Sequence, residues 1–297
     1  MATTYAYDDN AKREDLLGII TNLDYKENQL MSGLGTSTAK STLHQWLTDT
    51  LKAVALNAGV EGADASYNDR TDPQRITNWT QIVRVAFDVS DTERAIDAAG
   101  FNDRLAYEAT KAMKEWKQDA EYSLVRSSVV TGTGSAARQM NGIKNFFVSH
   151  NITAQSGVTL IESMLNDYLQ NVWDDGTEVN ALYVPMYMKR KISGYTANTT
   201  KFTDVSDRRL INAVDVYQAD AAKMVKLFAH RFVSVTGTDT NYGIIGVNED
   251  MFKVAYLRKP FIEDRAKTGD STKKEVIGEL TLECLHQDAG FWADKHL

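Results

Sequence analysis

The chain has 297 residues, 43% of them hydrophobic and 25% charged, which is the composition of a folded protein and excludes a wholly disordered one. Its 33 Lys and Arg against 40 Asp and Glu leave a net charge of −7, which speaks against a chain built to grip nucleic acid phosphates. One cysteine, Cys284, excludes an intrachain disulfide and a cysteine zinc cluster.

Prolines are scarce: Pro73, Pro185 and Pro260 are the only three, where average usage of about 5% gives roughly fifteen. No apolar run approaches the ~20 residues of a membrane span. Residues Met1 to Asn10 lack the basic and apolar regions of a secretory signal, so a soluble cytosolic chain is expected.

Residues 1–41 are polar and rich in small side chains, with one weak helical patch at Leu16-Leu17-Gly18-Ile19-Ile20. Such a segment cannot build its own core and reads as an arm that needs a surface to lie on. Leu43 to Leu51 reads as a strand anchored by Trp46, and residues 57–73 carry turn chemistry. Val83, Val85, Phe87 and Val89 then alternate with Ile82, Arg84, Ala86 and Asp88, a period-two strand. Together these predict two strands around a tip of about twenty residues, a length that in a compact domain is usually functional.

Ser90-Asp91-Thr92-Glu93 has the spacing of a capping box, and Asn102 or Asp103 can cap the helix that follows. Leu105, Ala109, Ala112, Met113, Trp116, Ala120 and Leu124 share one helical face, with Arg104, Lys111, Lys114, Glu115 and Glu121 placed off it. The pattern predicts a rod of ~38 Å over about 103–128. A second capping box, Thr159 to Glu162, precedes a helix whose face is Ile161, Leu165, Tyr168, Leu169, Val172 and Trp173, with Gly176 past its end.

Ala181 to Val184 reads as a short buried strand, Pro185 opens a helix that Gly194 can stop, and Tyr195 to Arg209 reads as a loop. Strands are predicted at 214–217, 224–228, 232–235, 243–247 and 252–257. In a further, long final strand, Val276, Gly278, Leu280, Leu282 and Cys284 alternate with Glu275, Ile277, Glu279, Thr281 and Glu283, which predicts one apolar face and one acidic face turned to solvent. The fold class is α+β.

Local motifs for chemistry are few. Gly132-Thr133-Gly134-Ser135-Ala136-Ala137 matches a dinucleotide fingerprint, but it follows a helix instead of a strand, so a loop is the better reading. The histidines (His44, His150, His230, His286 and His296) have no partner at metal-ligand spacing. Cys284, on the apolar face of a strand, reads as a buried inert thiol. Trp173-Asp174-Asp175-Gly176-Thr177-Glu178 lacks the spacing of a calcium loop and reads as a helix-ending turn. Lys189-Arg190-Lys191 and Arg208-Arg209 are basic clusters that solvent accounts for. The expectation is no enzyme, no cofactor and no resident metal; a dinucleotide-dependent enzyme built on 132–137 is the alternative from another class.

Several ordered stretches carry a resemblance. Ser41-Thr42-Leu43-His44-Gln45-Trp46-Leu47-Thr48-Asp49, Val60-Glu61-Gly62-Ala63-Asp64-Ala65 and Asn78-Trp79-Thr80-Gln81-Ile82 come first. Ala98-Ala99-Gly100, Asn212-Ala213-Val214-Asp215-Val216-Tyr217, Tyr256-Leu257-Arg258-Lys259-Pro260 and Ala266-Lys267-Thr268-Gly269-Asp270 follow. In this order they resemble the major capsid (head) proteins of tailed double-stranded DNA bacteriophages with the Hong Kong 97-like fold. The end departs from the pattern at Cys284-Leu285-His286-Gln287, where a more charged tail is expected.

The resemblance implies an N-terminal arm over 1–42, an extended loop over 43–89, and a peripheral domain with the spine helix over 90–156. It implies an axial domain over 157–245, then a return to the peripheral domain in long strands over 246–297. It further implies self-assembly into hexamers and pentamers of an icosahedral or prolate head in the virion, put together in the bacterial host cytoplasm. Partners would be the portal protein, a separate scaffolding protein, a decoration protein and loosely held double-stranded DNA, with no membrane. The helix starts near 103, after arm and loop, which leaves no room for an N-terminal scaffolding segment, so no large N-terminal cleavage is expected. An encapsulin-like cargo compartment is the alternative of the same fold. The candidate inter-subunit residues are Trp46, Glu61, Asp64, Asp69, Arg70, Asp72, Arg75, Lys111, Lys114, Arg208 and Arg209.

Overall fold

The computed structural model describes residues 28–52, 54–64, 67, 70–96, 103–152, 158–195, 215–217, 224–233 and 242–296. In chain order they form α1 (Gln29–Gly33), β1 (Gly35–Thr38), β2 (Leu43–Thr48), β3 (Gln74–Trp79), β4 (Gln81–Ser90), α2 (Asp91–Ala95) and α3 (Arg104–Arg126). Then come β5 (Asn151–Ile152), α4 (Glu162–Asp174), β6 (Ala181–Val184), α5 (Met186–Tyr195), β7 (Val216–Tyr217), β8 (Val225–Ala229), β9 (Tyr242–Val247), β10 (Phe252–Asp264), β11 (Ser271–Cys284) and β12 (Gly290–His296). The chain is α+β, as the patterning predicts. Among the described residues, no helix is long and apolar enough to cross a membrane.

The strands make a four-stranded sheet ordered β1-β10-β11-β4, a six-stranded sheet ordered β5-β12-β9-β6-β8-β7, and the separate pair β2-β3. The long helix α3 lies on the first sheet. Ala112, Trp116, Ala120 and Leu124, spaced four residues apart, are fully or almost fully buried there. Trp116 sits over Gly278 of β11, where a Cβ would come within 2.5 Å of the indole, and its Nε1 donates to the Val83 carbonyl at 2.8 Å. Asp103 caps α3 by accepting from the Leu105 amide at 2.9 Å, and Ser90 accepts from the Glu93 amide to start α2.

The second sheet is buried on both faces. Along β6, Ala181 and Tyr183 join the core under α3, while Leu182 and Val184 join a second core with Leu165, Leu169 and Val172 of α4 and Met188 and Ile192 of α5. A short run buried on both sides is why β6 reads as continuously apolar rather than alternating.

Several expectations are corrected. β4 does not form a hairpin with β2: it pairs antiparallel with β11, and the hairpin partner of β2 is β3. Gln74-Arg75-Ile76-Thr77-Asn78-Trp79 carries little apolar alternation, so its pairing comes from the hairpin rather than from burial. The acidic face of β11 is not in solvent. Glu275, Glu279 and Glu283 are all buried beneath cationic and hydroxyl partners from other segments.

Glu121, placed off the core face by its charge, is fully buried in α3. The Thr159–Glu162 box does not form. Ile161 takes the N-cap position with no side-chain cap, and Ile161 and Trp173 are both more than half exposed. The strand from 252 runs on through Pro260 to Asp264, because register shifts between Tyr256 and Phe261 take the proline out of the ladder. Residues 232–233 form a bend and not a strand, and β12, an element without an expectation of its own, enters the second sheet beside β9. Of these late strands, β10 and β11 belong to the first sheet and β12 to the second.

Within the proposed arm, residues 28–38 lie on the chain's own body. β1 pairs parallel with β10, and Leu30 and Leu34 are buried in the core under α3. The helical patch at 16–20, the Asn102 cap and the 196–209 loop fall outside the described residues.

Candidate assembly surface

The β2–β3 hairpin is fastened at its base and bare at its tip. At the base, Trp46 donates its indole N–H to the Cys284 carbonyl at 2.6 Å and packs near the Phe146 ring. Asn78, almost fully buried, donates to the carbonyls of Leu282 (2.7 Å) and Asn141 (3.2 Å) and accepts from the Asn141 amide (2.7 Å). Thr80 donates its backbone N–H to Thr42 and its hydroxyl to Glu279 Oε1 at 2.6 Å. These bonds are buried or part-buried, so the hairpin leaves the body at a defined place.

Beneath it runs a ladder of carboxylates on β11. Glu279 receives Arg138 Nη2 at 2.6 Å and Arg258 Nη2 at 3.2 Å. Glu283 accepts from the Ser37 hydroxyl at 2.7 Å, with His44 Nε2 at 3.5 Å. Glu275 is bonded to Arg265, whose guanidinium holds the carboxyl below its usual range. Each buried acid on the strand thus has a partner, ten residues away for Glu275 and far along the chain for Glu279 and Glu283. Cys284 closes the strand with its thiol pushed up to about 12 by burial, which makes it unreactive as expected.

Between Thr48 and Gln74 there is no strand among the described residues. A turn at Val60–Ala63 is closed by the Ala63 amide on the Val60 carbonyl at 3.1 Å, and Gly62 takes the left-handed conformation that the turn's third position requires (φ 79°). Leu51, Val54, Leu56, Val60 and Tyr67 are each at least 80% exposed. Scattered exposed apolar side chains are ordinary, but five on one projecting segment make a patch that water penalises. Covering a Leu or Val of this kind is worth about 1.5–3 kcal/mol each.

Of the candidate residues, Glu61, Asp64, Arg70 and Asp72 lie exposed on the tip, and Arg75 lies exposed on β3 opposite Leu47. Trp46 belongs to the base. Lys111 and Lys114 are exposed on α3, and Lys111 is 3.9 Å from both Glu108 and Glu115 of the same helix. Asp69, Arg208 and Arg209 lie outside the described residues. The apolar tip residues escaped the sequence reading because a loop rich in Gly, Asp and Asn draws attention to its charges. The signal available was the run Leu51, Val54, Leu56, which has spacing but no partner face.

The dinucleotide motif does not stand. Residues 132–137 are the turn of a narrow hairpin whose arms meet at the Val130–Gln139 bridge, with the Thr133 amide on the Ala136 carbonyl. No helix begins there to point amides at a pyrophosphate.

The architecture of two sheets, a spine helix and a projecting hairpin is that of the Hong Kong 97-like fold, shared by phage capsids and encapsulins. The structure is similar to one from Microbacterium phage Oxtober96 (TM-score 0.67, 11% identity, 99% of each chain). It is similar also to the holo-SrpI encapsulin complex of Synechococcus elongatus PCC 7942 (TM-score 0.65, 12% identity, 100% of this chain and 96% of that one). The capsid of Myoviridae phage XM1 gives a TM-score of 0.63 at 11% identity, covering 96% and 97% of the two chains.

The sequence is more specific than the fold: residues 2–295 match the model of the SU10 major capsid protein family, and the chain belongs to that family. It is also 32% identical over 127 residues to the major capsid protein of Escherichia phage Phieco32. That match spans 42% of this chain and 36% of the relative's length.

Proposed function

We propose that this chain is the repeating subunit of a phage head shell, assembling with copies of itself into hexamers and pentamers around double-stranded DNA. The observation that carries the reading is the hairpin: a base locked by buried and part-buried hydrogen bonds and a tip whose apolar side chains stand exposed in their own subunit. A neighbouring copy is the occupant that a self-assembling shell supplies, and burying several such side chains favours an obligate contact. The charged tip residues Glu61, Asp64, Asp69, Arg70, Asp72 and Arg75 then set the pairing against the neighbour, through Lys111 and Lys114 on its α3. Arg208 and Arg209 serve contacts around the capsomer axis.

Family membership favours a head shell over a cargo compartment, since the encapsulin likeness is one of fold at 12% identity. The work is structural rather than catalytic, with the virion as its place and the host cytoplasm as the site of assembly. Portal, scaffolding and decoration proteins are the further partners.

The test is to replace Leu51, Leu56 and Val60 with Asp, and separately to reverse Arg70 and Arg75. Because these side chains stand in water within the subunit, the variants keep the wild-type unfolding free energy within about 0.5 kcal/mol. The apolar variant loses shell formation in sedimentation, and the charge reversal lowers its yield. Shells formed at wild-type yield by both would contradict the reading.

A further inference from the structure

Away from the hairpin, three segments distant in sequence bring His150, Asp175 and Asp288 together, with one ligand atom of each lying within 4.8 Å of the others. His150 stands just before β5, and its carbonyl is held by the Trp292 amide of β12 at 3.0 Å. Asp175 occupies the C-cap of α4, ahead of Gly176 in the left-handed conformation (φ 89°). Asp288 lies in the turn between β11 and β12. Its carbonyl accepts from the Thr177 hydroxyl at 2.9 Å and its amide donates to His286 Nδ1 at 3.2 Å.

The imidazole is the informative member. The His150 side chain is 91% buried, with 9% exposed. Its Nε2 has no hydrogen-bond partner among the described residues, although Asp175 Oδ2 is only 2.7 Å away. The two groups are close without being aligned. A buried ring nitrogen left without a hydrogen bond is costly. An imidazole nitrogen beside two carboxylate oxygens is the kind of atom that ligates a metal ion. The carbonyl end of α4 adds negative potential at the same spot.

We propose that His150, Asp175 and Asp288 bind a divalent transition cation, zinc by the chemistry of its donors, with water completing the shell. One imidazole and two carboxylates are a zinc-type donor set. Bonds of about 2.1 Å set tetrahedral ligands about 3.4 Å apart. The half-exposed Asp175 carboxylate can open from His150 to that spacing while Asp288 closes. The ion would tie the end of α4, the start of β5 and the β11–β12 turn into one clamp inside a single subunit.

The experiment is equilibrium dialysis of the purified full chain against zinc alone, with cobalt(II) as the spectroscopic probe, on wild type, Asp288→Asn and His150→Ala. The Asn variant preserves shape on a partly exposed residue and keeps the test valid if the His variant fails to fold. The expected result is one zinc per wild-type chain, a tetrahedral cobalt absorption band, a raised unfolding temperature, and affinity weakened at least about tenfold in Asp288→Asn. No zinc uptake by the wild type, or equal uptake by wild type and Asp288→Asn, would overturn the proposal.

Discussion

Glu279 decides how much of the hairpin base is held by charge. It is 4% exposed and takes Thr80, Arg138 and Arg258 on its two oxygens. Glu279→Gln keeps the shape but leaves two guanidinium groups without a counter-charge. Arg138 and Arg258 are partly exposed, so water softens the loss and the expected destabilisation is about 1–3 kcal/mol. Glu263→Gln is the control. Its pair with Arg265 is 44% exposed on both sides, and it should cost about 0.5 kcal/mol or less. Urea unfolding of the unassembled chain measures both, and equal midpoints for the two variants would contradict this account of the base.

At the same scale, Glu121 accepts from the amides of Leu30 and Met31 at 2.8 Å each and meets His230 Nε2 at 2.8 Å, so it docks α1 against α3. Neither role is legible in the sequence. Alternation separates charged from apolar positions, and charge is then read as solvent, because the partners lie up to some 240 positions away along the chain.

Among the elements, α3 was the most legible. Its four-residue spacing of small and large apolar groups and its Asp103 cap are local properties, and local properties survive into the structure. β3 was not legible, since it is made by pairing with β2 rather than by burying a face. β10 hid behind Pro260, whose missing N–H costs nothing where the register already slips.

β12 is short, and its end carries a titratable group. His296 is fully buried against Tyr168 and the Val158 carbonyl, and burial pushes its imidazole below the usual 6.5. The folded protein therefore binds this proton less readily than the unfolded chain does. Stability falls as the pH drops below about 6.5 and goes on falling until the folded-state value is passed. Glu275 and Asp91 act in a lower window: both carboxyls are held low, by Arg265 and by Lys267 respectively. Their contribution is present above the usual carboxylate values and lost as the pH falls through the folded ones. Thermal unfolding across pH should show the first decline in wild type and a flatter one in His296→Gln. Superimposable profiles would contradict the assignment to His296.

For the whole molecule, the two sheets are interleaved along the chain. β12 crosses into the second sheet after β10 and β11 have built the first, and the core under α3 draws residues from both sheets. No local pattern announces that return. Under the proposed function, the net charge of −7 suits a wall that encloses DNA without adhering to it. The tip carries the most exposed large apolar side chains among the described residues.

Electron microscopy of the purified full-length chain under assembling conditions tests the shell reading most directly. Closed particles built from five-fold and six-fold capsomers, with density for residues 49–73 lying over the adjacent subunit, are the predicted result. A monomer or small discrete oligomer at every concentration, with the hairpin tip contacting no second copy, would contradict it.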